Sequence, residues 1–411
     1  MEYGCIGRCL SHSFSRAIHC LIGRYDYELR EIAPEELAAF MAEREFRCIN
    51  VTIPYKKEVI PYLYELSPKA KSTGAVNTVV NRNGLLYGYN TDFGGMQALL
   101  AKIGADICGK KALVLGSGGT SQTARAVLQS GGAGEIYRVS RSGKDGAITY
   151  DQARSRHGDT QIIINTTPCG MFPDADEQPI DLSCFSDLHA VADAIYNPLR
   201  TDLILKAQEM GVPAEGGLYM LVSQAVLAAE LFSEQPLPDG ETQRIYDELL
   251  SRTRNPVLIG MPGSGKTTVG RLLAKELGRK LLDVDELIVQ RAGCPISRIF
   301  ESRGEDRFRQ LEAEVIAEIS RQNGVIIACG GGSVLRKDNV RRLARNGRLI
   351  FLDRSPDRLL PTEDRPLAND GEKIRKLYQE RLPVYLNAAD QVVQADSPPE
   401  AVARSILRSM L

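Results

Sequence analysis

The sequence lacks any apolar run near the roughly 18 residues that a membrane-spanning helix needs. Its first residues, Met1-Glu-Tyr-Gly-Cys-Ile6, do not follow the charged-then-apolar order of a signal peptide. There is also no internal repeat and no low-complexity tract. These absences argue against a membrane partner and predict a cytoplasmic location.

Metal-ligand patterns and excess charge are also missing. The 51 Lys and Arg residues nearly balance the 52 Asp and Glu residues, giving a formal net charge of −1, so no nucleic-acid partner is expected. The four histidines show no metal-ligand spacing. The cysteines form no C-x-x-C pair, and we expect them to be reduced packing residues. They number nine, at positions 5, 9, 20, 48, 108, 169, 184, 294 and 329.

What is present indicates several globular domains. At 411 residues the chain is long for one domain, so two or three are expected. Hydrophobic residues at 43% and charged residues at 25% are typical of globular domains. Over residues 1–93, short apolar runs such as Tyr3-Gly-Cys-Ile-Gly7 and Cys48-Ile-Asn-Val-Thr-Ile53 alternate with helical stretches. That order predicts an α/β layer.

A phosphate-binding motif begins in the middle of the chain. Gly260-Met-Pro-Gly-Ser-Gly-Lys-Thr267 fits the P-loop pattern G-x-x-x-x-G-K-[ST], between a predicted strand at 256–259 and a predicted helix at 268–277. Such a loop wraps a phosphate with backbone N–H groups, while its lysine reaches the outer phosphates and its hydroxyl can ligate Mg²⁺. The expected ATP-binding residues are Gly263, Ser264, Gly265, Lys266, Thr267 and Thr268.

A second glycine turn, Gly116-Ser-Gly-Gly119, lies earlier in the chain. It joins a predicted strand at 110–115 to a helix at 120–129, and another strand follows at 135–139, so a dinucleotide-binding βαβ unit is expected. Because Ser121 replaces the third glycine of G-x-G-x-x-G, the turn alone is weak evidence.

The end of that second strand bears on the choice of cofactor. NAD-binding folds usually place an acid there for the ribose 2′-OH, whereas this chain has Ser140-Arg-Ser-Gly-Lys144. A guanidinium with a nearby ammonium suits a 2′-phosphate, which favours NADP(H). An ordinary basic loop is the alternative.

Six short motifs in the first 250 residues resemble those of shikimate dehydrogenases, in the same order. They are Gly7-Arg-Cys-Leu-Ser-His-Ser-Phe-Ser15, Asn50-Val-Thr-Ile-Pro-Tyr-Lys56, Gly74-Ala-Val-Asn-Thr78, Asn90-Thr-Asp92, Asn165-Thr-Thr-Pro-Cys-Gly-Met171 and Gly217-Leu-Tyr-Met-Leu-Val-Ser-Gln-Ala225. The resemblance implies an α/β substrate domain formed by residues 1–93 and 217–252, and a Rossmann NADP-binding domain over 94–216.

The same resemblance implies roles for individual residues. Lys56 and Asp92 are the catalytic pair, because a positioned ammonium can stabilise the charge that develops on a ketone oxygen and supply a proton. The implied substrate-binding residues are Ser13, Ser15, Thr52, Asn77, Gln224 and Tyr196. The implied NADP-binding residues are Gly116, Gly118, Gly119, Thr120, Ser140, Arg141, Gly217 and Met220. Ser140 replaces the family's asparagine and Asp145 its second basic residue, so strict preference for NADP stays open.

Residues 253–411 resemble shikimate kinase over their whole length, as a P-loop kinase domain with a parallel sheet. Besides the P-loop, the matching motifs are Leu281-Leu-Asp-Val-Asp285, Phe308-Arg-Gln-Leu-Glu312, Cys329-Gly-Gly-Gly-Ser333, Asp364-Arg-Pro-Leu367 and Arg381-Leu-Pro-Val-Tyr385. We expect Asp283 and Asp285 to end one strand with both side chains on the same side, because side chains alternate along a strand.

The kinase resemblance implies a second set of roles. Asp285 and Lys266 are catalytic, and Thr267 with Asp283 holds Mg²⁺. The implied shikimate-binding residues are Asp285, Arg309, Gly331, Gly332 and Arg381, and Arg365 is the lid arginine that closes on phosphate. The lid segment 354–364 is shorter than in many relatives, and Arg358 is the candidate for the arginine that stacks on adenine in some of them.

Together the two resemblances imply a bifunctional enzyme. It would reduce 3-dehydroshikimate with NADPH, then phosphorylate shikimate with ATP and Mg²⁺. Two alternatives remain: a quinate-type polyol dehydrogenase fused to a related small-molecule kinase, and a nucleotide-sensing regulator with silent sites. A homo-oligomer also stays open.

Overall fold

Three β-sheets carry the described part of the chain, residues 1–10, 14–359 and 371–410, in this computed structural model. The chain divides into two compact units, Met1–Leu249 with two of the sheets and Leu250–Leu411 with the third. The predicted α/β class is confirmed. Within the described ranges, no helix combines the length and the apolar character that crossing a membrane requires.

The first sheet has six strands in the order β2-β1-β3-β5-β6-β4, and it is mixed because β5 runs antiparallel to β3 and β6. Its strands are β1 Tyr3–Gly7, β2 Glu28–Glu31, β3 Cys48–Val51, β4 Glu65–Leu66, β5 Thr78–Arg82 and β6 Leu85–Tyr89. Helices α1 Ser15–Ile22, α2 Leu37–Glu43 and α3 Pro68–Thr73 belong to the same part of the chain. Ile6, Ile49 and Val79 lie in its fully buried core. The sheet places the end of β3 and the start of β5 together.

The second sheet is all parallel, in the order β11-β10-β9-β7-β8. Its strands are β7 Lys111–Leu115, β8 Glu135–Val139, β9 Ile162–Asn165, β10 Ala190–Asp193 and β11 Ala214–Glu215. The helices of this region are α4 Asp92–Lys102, α5 Gly119–Ser130, α6 Tyr150–Arg156, α7 Asp202–Glu209, α8 Leu218–Ser233 and α9 Glu241–Thr253. Leu113 and Val114 pack into separate clusters on opposite faces. Burial on both faces explains why these strands read as continuous apolar runs.

The third sheet is also all parallel, in the order β13-β14-β12-β15-β16. Its strands are β12 Asn255–Ile259, β13 Leu281–Asp283, β14 Ile326–Ala328, β15 Gly347–Asp353 and β16 Gln391–Gln394. The helices are α10 Lys266–Leu277, α11 Val284–Ala292, α12 Ile296–Ile319, α13 Lys337–Asn346, α14 Gly371–Ala388 and α15 Pro399–Arg408. The P-loop joins β12 to α10, so it lies at the carboxyl edge of the central strand. Ligands of parallel α/β sheets bind at this edge.

Candidate active sites

A cavity of about 270 Å³ in the first unit collects most of the predicted dehydrogenase residues. The substrate-binding candidates in its wall are Ser15, Thr52, Tyr196 and Gln224, beside the pair Lys56 and Asp92. The cofactor-binding candidates in the wall are Thr120, Gly217 and Met220. The cavity thus lies where the first sheet, the glycine loop and α8 come together. Ser13 lies outside the described residues.

Lys56 and Asp92 form an ion pair in this cavity. Lys56 lies in the loop after β3, Asp92 begins α4, and the Lys56 Nζ to Asp92 Oδ2 distance is 2.6 Å. The two side chains keep 26% and 15% of their surface exposed, so a ligand can reach both. A cation held against the cavity wall in this way can approach an oxygen on which negative charge develops.

Asn77 holds Asp92, the acidic member of that pair, in position. Its side chain is 3% exposed, and its Nδ2 lies 3.0 Å from Asp92 Oδ1, 2.9 Å from Thr91 Oγ1 and 3.3 Å from Gln224 Oε1. Its Oδ1 accepts from Thr91 N at 2.7 Å and from the fully buried Thr78 Oγ1 at 3.1 Å. Sequence reasoning gave no role to Thr78 or Thr91, although both lie within the motifs. Their hydroxyls orient the amide that faces Asp92.

The predicted dinucleotide loop lies between β7 and α5. Gly116 has φ 116°, and a Cβ there would lie 2.7 Å from Thr166 Oγ1, so this turn requires glycine. A Cβ on Gly118 or Gly119 would meet nothing within 4 Å. Ser121, in place of the third glycine, is fully buried and its Oγ donates to Gly118 O at 2.8 Å. The loop leaves open space above its middle glycines.

The residues after β8 lie beside this loop, because Gly116 N donates to Val139 O at 2.8 Å. Ser140 Oγ accepts from Gly143 N at 3.1 Å and closes a turn. Arg141 and Lys144 are both exposed at the tip. The structure therefore keeps two basic side chains accessible near the glycine loop.

A buried carboxylate supports the cavity segment Ala194–Tyr196. Asp193, the last residue of β10, is fully buried and accepts from Asn165 Nδ2 at 3.1 Å, Ile195 N at 2.9 Å and Thr201 Oγ1 at 2.7 Å. Burial raises the pKa of Asp193 to about 6, although the three neutral donors oppose the shift. Burial also raises the pKa of Tyr196 above its usual value. Asp193 thus anchors the backbone that carries Tyr196.

A larger cavity, of about 740 Å³, lies at the carboxyl edge of the third sheet. The predicted residues in its wall are Gly263, Gly265, Lys266, Thr267, Thr268, Asp283, Asp285, Arg309, Gly331, Gly332 and Arg381. Ser264 is buried within the loop. Gly263 and Gly265 have φ of 81° and 92°, which favours glycine at both positions. The predicted kinase residues therefore converge, except Arg365, which lies outside the described residues.

The P-loop lysine and threonine are held by specific contacts. Lys266 is 6% exposed, and its Nζ donates to Gly260 O at 2.9 Å and Met261 O at 2.8 Å. Thr267 Oγ1 donates to Asp283 Oδ2 at 2.7 Å. A hydroxyl and a carboxylate thus meet beside the phosphate loop. In the described ranges no group of three or more His, Cys, Asp or Glu side chains forms a metal cage.

The expectation that Asp285 continues the strand of Asp283 was wrong. Strand β13 ends at Asp283, and Asp285 lies in the first turn of α11. The Asp283 Oδ1 caps this helix by accepting from Asp285 N at 3.0 Å and Glu286 N at 3.3 Å. An acidic side chain favours a helix N-terminus because it satisfies unpaired N–H groups there. Both carboxylates still line the cavity, for a reason other than strand alternation.

The two predicted carboxylate-binding arginines lie on different helices. Arg309 on α12 donates to Glu312 Oε2 at 2.8 Å and pairs with Glu305 Oε1 at 3.1 Å, and Glu312, fully buried, also accepts from Ser333 Oγ. Burial opposes the charge of Arg309, but the attraction and hydrogen bonds of Glu312 and Glu305 together outweigh it, and the pKa of Arg309 rises.

Arg381 on α14 is held by the glycine loop after β14. Its Nη1 donates to Gly331 O at 3.0 Å, and Tyr385 OH donates to the same oxygen at 2.5 Å. Burial raises the pKa of Tyr385 to about 12, so this hydroxyl stays a donor. Arg358, by contrast, does not line the cavity and donates to Asp396 O at 2.6 Å.

These folds and sites define a Rossmann-type dehydrogenase joined to a P-loop kinase. Residues 5–79 match the family model of the shikimate dehydrogenase substrate binding domain, and residues 262–411 match that of shikimate kinase. A shikimate dehydrogenase (NADP(+)) of Clostridium beijerinckii is 36% identical over 261 residues, 59% of this chain and 96% of the relative. The chain belongs to the shikimate dehydrogenase family and carries a shikimate kinase domain after it.

Solved structures agree with this assignment. A chorismate mutase/shikimate 5-dehydrogenase fusion protein from Clostridium acetobutylicum is 36% identical with a TM-score of 0.57, covering 60% of this chain and 96% of that one. Shikimate 5-dehydrogenase from Thermus thermophilus, in complex with NADP(H) and shikimate, is 28% identical with a TM-score of 0.54, covering 60% and 99%. Both likenesses cover nearly all of the solved chain and the share of this chain that precedes the kinase domain.

Proposed function

We propose that the first unit reduces 3-dehydroshikimate to shikimate with NADPH, and that the second unit phosphorylates shikimate at its 3-hydroxyl with ATP. The observation that carries this proposal is that each unit assembles its own reactive set around one cavity. Lys56 with Asp92 lies in the first cavity, and Lys266 with Asp285 lies in the second.

In the dehydrogenase cavity, Lys56 donates the proton to the substrate oxygen. The cofactor supplies a hydride to the carbonyl carbon, and the ammonium neutralises the charge that forms on oxygen. Asp92 orients Lys56 through the 2.6 Å ion pair, and Asn77 in turn orients Asp92. The substrate hydroxyls bind Thr52, Asn77 and Gln224. Ser13 and Ser15 bind the carboxylate, with Tyr196 beside them.

The glycine loop and the adjacent strand ends would hold the cofactor. The open space above Gly118 and Gly119 accommodates the pyrophosphate, and the start of α5 faces it through Thr120. Ser140 and Arg141 bind the 2′-phosphate, with the exposed guanidinium as the main contact. Gly116 makes the turn, while Gly217 and Met220 border the nicotinamide. These contacts favour NADPH over NADH.

In the kinase cavity, Asp285 accepts the proton of the attacking hydroxyl and the P-loop holds the phosphates. Lys266 and the loop segment Gly263–Thr268 neutralise the transferred group. Arg309 and Arg381 bind the shikimate carboxylate, and Gly331 and Gly332 let the ring approach the backbone. Arg365, which lies outside the described residues, keeps its predicted role in binding the phosphates.

The residues fit a magnesium ion. Thr267 Oγ1 and Asp283 Oδ2 lie 2.7 Å apart beside the phosphate loop. Mg²⁺ is commonly held by one or two carboxylates together with substrate phosphates, rather than by a complete protein cage. Thr267 and Asp283 would hold the ion, and its charge would offset that of the phosphates.

A single reaction mixture tests both activities. The chain is mixed with 3-dehydroshikimate and either NADPH or NADH, nicotinamide absorbance is followed, and ATP with Mg²⁺ is then added while ADP is measured. We expect faster oxidation of NADPH than of NADH, followed by ADP release. No oxidation of either cofactor would contradict the first assignment, and no ADP after shikimate has formed would contradict the second. Faster turnover of 3-dehydroquinate than of 3-dehydroshikimate would contradict the proposed substrate assignment.

A further inference from the structure

Arg354 lies beside the phosphate loop although it belongs to none of the motifs. It directly follows β15, which runs parallel to β12 with Ile259 opposite Phe351. The two strands therefore end together, and a Cβ on Gly260 would lie 2.8 Å from Leu352 O. Arg354 itself is in the wall of the 740 Å³ cavity. Its backbone position is thus fixed by the pairing of the two strands.

The guanidinium lies near Gly265 of the phosphate loop. A Cβ on Gly265 would lie 3.9 Å from Arg354 Nη1. Backbone N–H groups of this loop face the phosphates of a bound nucleotide. A group this close to Gly265 therefore lies near the position of the phosphates.

No acid offsets this charge within the described residues. Among the described residues, Arg354 Nε is buried without a hydrogen-bond partner and Arg354 forms no ion pair. The acids nearest in sequence have other partners. Asp353 accepts from Tyr378 OH at 2.8 Å and Gln394 Nε2 at 3.1 Å, and Asp357 pairs with Arg375 at 2.8 Å. A buried donor and an uncompensated positive charge at a phosphate loop favour an anionic ligand.

We propose that Arg354 binds the phosphate chain of the nucleoside triphosphate from the β15 side of the loop. The inference rests on the kinase activity proposed above and adds a residue to it. A planar guanidinium can donate two parallel hydrogen bonds to phosphate oxygens, which suits a fixed position at the end of a strand. It supplies a cation independent of Lys266 and Arg365.

Three variants of the full-length chain test the proposal. Arg354→Met removes the donors, Arg354→Lys keeps the charge without the fork, and Arg348→Met is the matched control. Arg348 is near the start of β15, the strand that Arg354 follows, and donates to Ser409 O at 2.7 Å. For each variant we would measure kcat, KM for ATP, KM for shikimate and inhibition by inorganic tripolyphosphate. The dehydrogenase rate serves as an internal reference.

For Arg354→Met we expect KM for ATP to rise roughly tenfold, with KM for shikimate unchanged, because hydrogen bonds to charged groups are among the strong ones. Tripolyphosphate inhibition should weaken by the same factor, since that probe has phosphates and no base. Arg354→Lys should fall between wild type and Arg354→Met, and Arg348→Met should match wild type.

Two results would overturn the proposal while the wild-type kinase is active. One is an unchanged KM for ATP in Arg354→Met. The other is a raised KM for ATP with unchanged tripolyphosphate inhibition, which would assign the guanidinium to the base. If Arg354→Met fails to fold, an unchanged KM for ATP in Arg354→Lys overturns it and a raised one supports it. A wild-type chain without kinase activity would refute the underlying function instead.

Discussion

The two units treat charge in their cavities differently. In the dehydrogenase cavity the cation Lys56 is already paired with Asp92, and the side chains around the pair, such as Asn77, are neutral. In the kinase cavity Lys266 and Arg381 donate to backbone carbonyls instead. In the first cavity the lysine is held by a carboxylate, whereas in the second the lysine and Arg381 are held by backbone carbonyls and Arg309 is the cation that is paired, with Glu312.

This difference matches the charge of what each site handles. Reduction of a ketone develops about one negative charge on one oxygen, so a single oriented ammonium is sufficient. Phosphoryl transfer handles several phosphate charges and consists mainly of positioning and charge neutralisation. The cations at the second site must therefore be available when the nucleotide binds. The different contacts of Lys56 and Lys266 are consistent with this difference in charge.

Buried carboxylates extend the comparison. In the first unit Asp193 is satisfied by neutral donors alone, from Asn165, Ile195 and Thr201. In the second unit the fully buried Glu312 is paired with the guanidinium of Arg309. A buried carboxylate whose partners are all neutral resists ionisation, as the raised pKa of Asp193 indicates.

The largest expected effect comes from removing either lysine. Lys56→Ala should lower kcat/KM for 3-dehydroshikimate by about 1000-fold and leave ADP formation from shikimate unchanged. Lys266→Ala should lower the kinase rate by about 1000-fold and leave NADPH oxidation unchanged. Both activities are measured on the same preparation of each variant, because the comparison requires that the two sites fail separately.

Neighbouring lysines supply the controls for this experiment. Lys57 follows Lys56 and Lys275 lies on α10 with Lys266, and both are exposed. Lys57→Ala and Lys275→Ala should retain both activities. A folded Lys56→Ala or Lys266→Ala protein that loses both activities would break the picture of two independent sites.

Asp193→Asn should change how stability depends on pH. The pKa of Asp193 in the folded state, about 6, lies above its usual value of 3.8, so the folded protein holds this proton more tightly. The stabilising contribution is complete below 3.8 and is lost as the pH rises through about 6. A shift of this size corresponds to about 3 kcal/mol. Asp193→Asn should not lose this stability as the pH rises, because the variant has no carboxyl group at this position.

Hydrogen exchange of peptides from β10 measures this effect locally in the full chain. Wild type and Asp193→Asn are compared at each pH, below, within and above the window, so intrinsic exchange rates cancel. The difference in opening free energy should shift in favour of the variant by about 3 kcal/mol across the window. A constant difference would show that Asp193 ionises normally. Peptides from β14 serve as the reference.

The sequence was sufficient to predict elements with strong local signals. The P-loop, the βαβ unit around Gly116 and the α/β class follow from short patterns, and the structure has strands and helices at those places. The placement of Asp285 was mispredicted because alternation assumes that a strand continues, whereas Asp283 caps a helix that begins at once. A cap depends on backbone turning that apolar patterns do not encode.

Contacts between distant segments were beyond the reach of the sequence. Asn77 contacts Gln224, which is distant in the sequence. No local pattern predicts that the side-chain nitrogen of Asn77 contacts three other side chains. From the sequence, Arg354 could be assigned only to the short lid segment, because its position beside Gly265 depends on the pairing of β12 with β15. Motifs name residues of a site, but strand pairing decides which further side chains reach it.

The smallest effects expected concern how each site makes room for its ligand. A Cβ on Gly118 meets nothing within 4 Å, whereas a Cβ on Gly331 would lie 2.7 Å from ring atoms of Pro262. Gly118→Ala should therefore leave thermal stability unchanged and raise KM for NADPH roughly tenfold, because its methyl group occupies space for the pyrophosphate.

Gly331→Ala should mainly lower stability, and any effect on ligand binding should follow from that loss. The methyl group displaces Pro262 of the phosphate loop, so the kinase unit should lose about 1–3 kcal/mol of stability, with a raised KM for ATP as a consequence. Thermal unfolding and both KM values are measured for each variant. If Gly118→Ala destabilised its unit while Gly331→Ala did not, the first loop would be packed and the second open. This result would reverse the expected contrast between the open loop at Gly118 and the packed loop at Gly331.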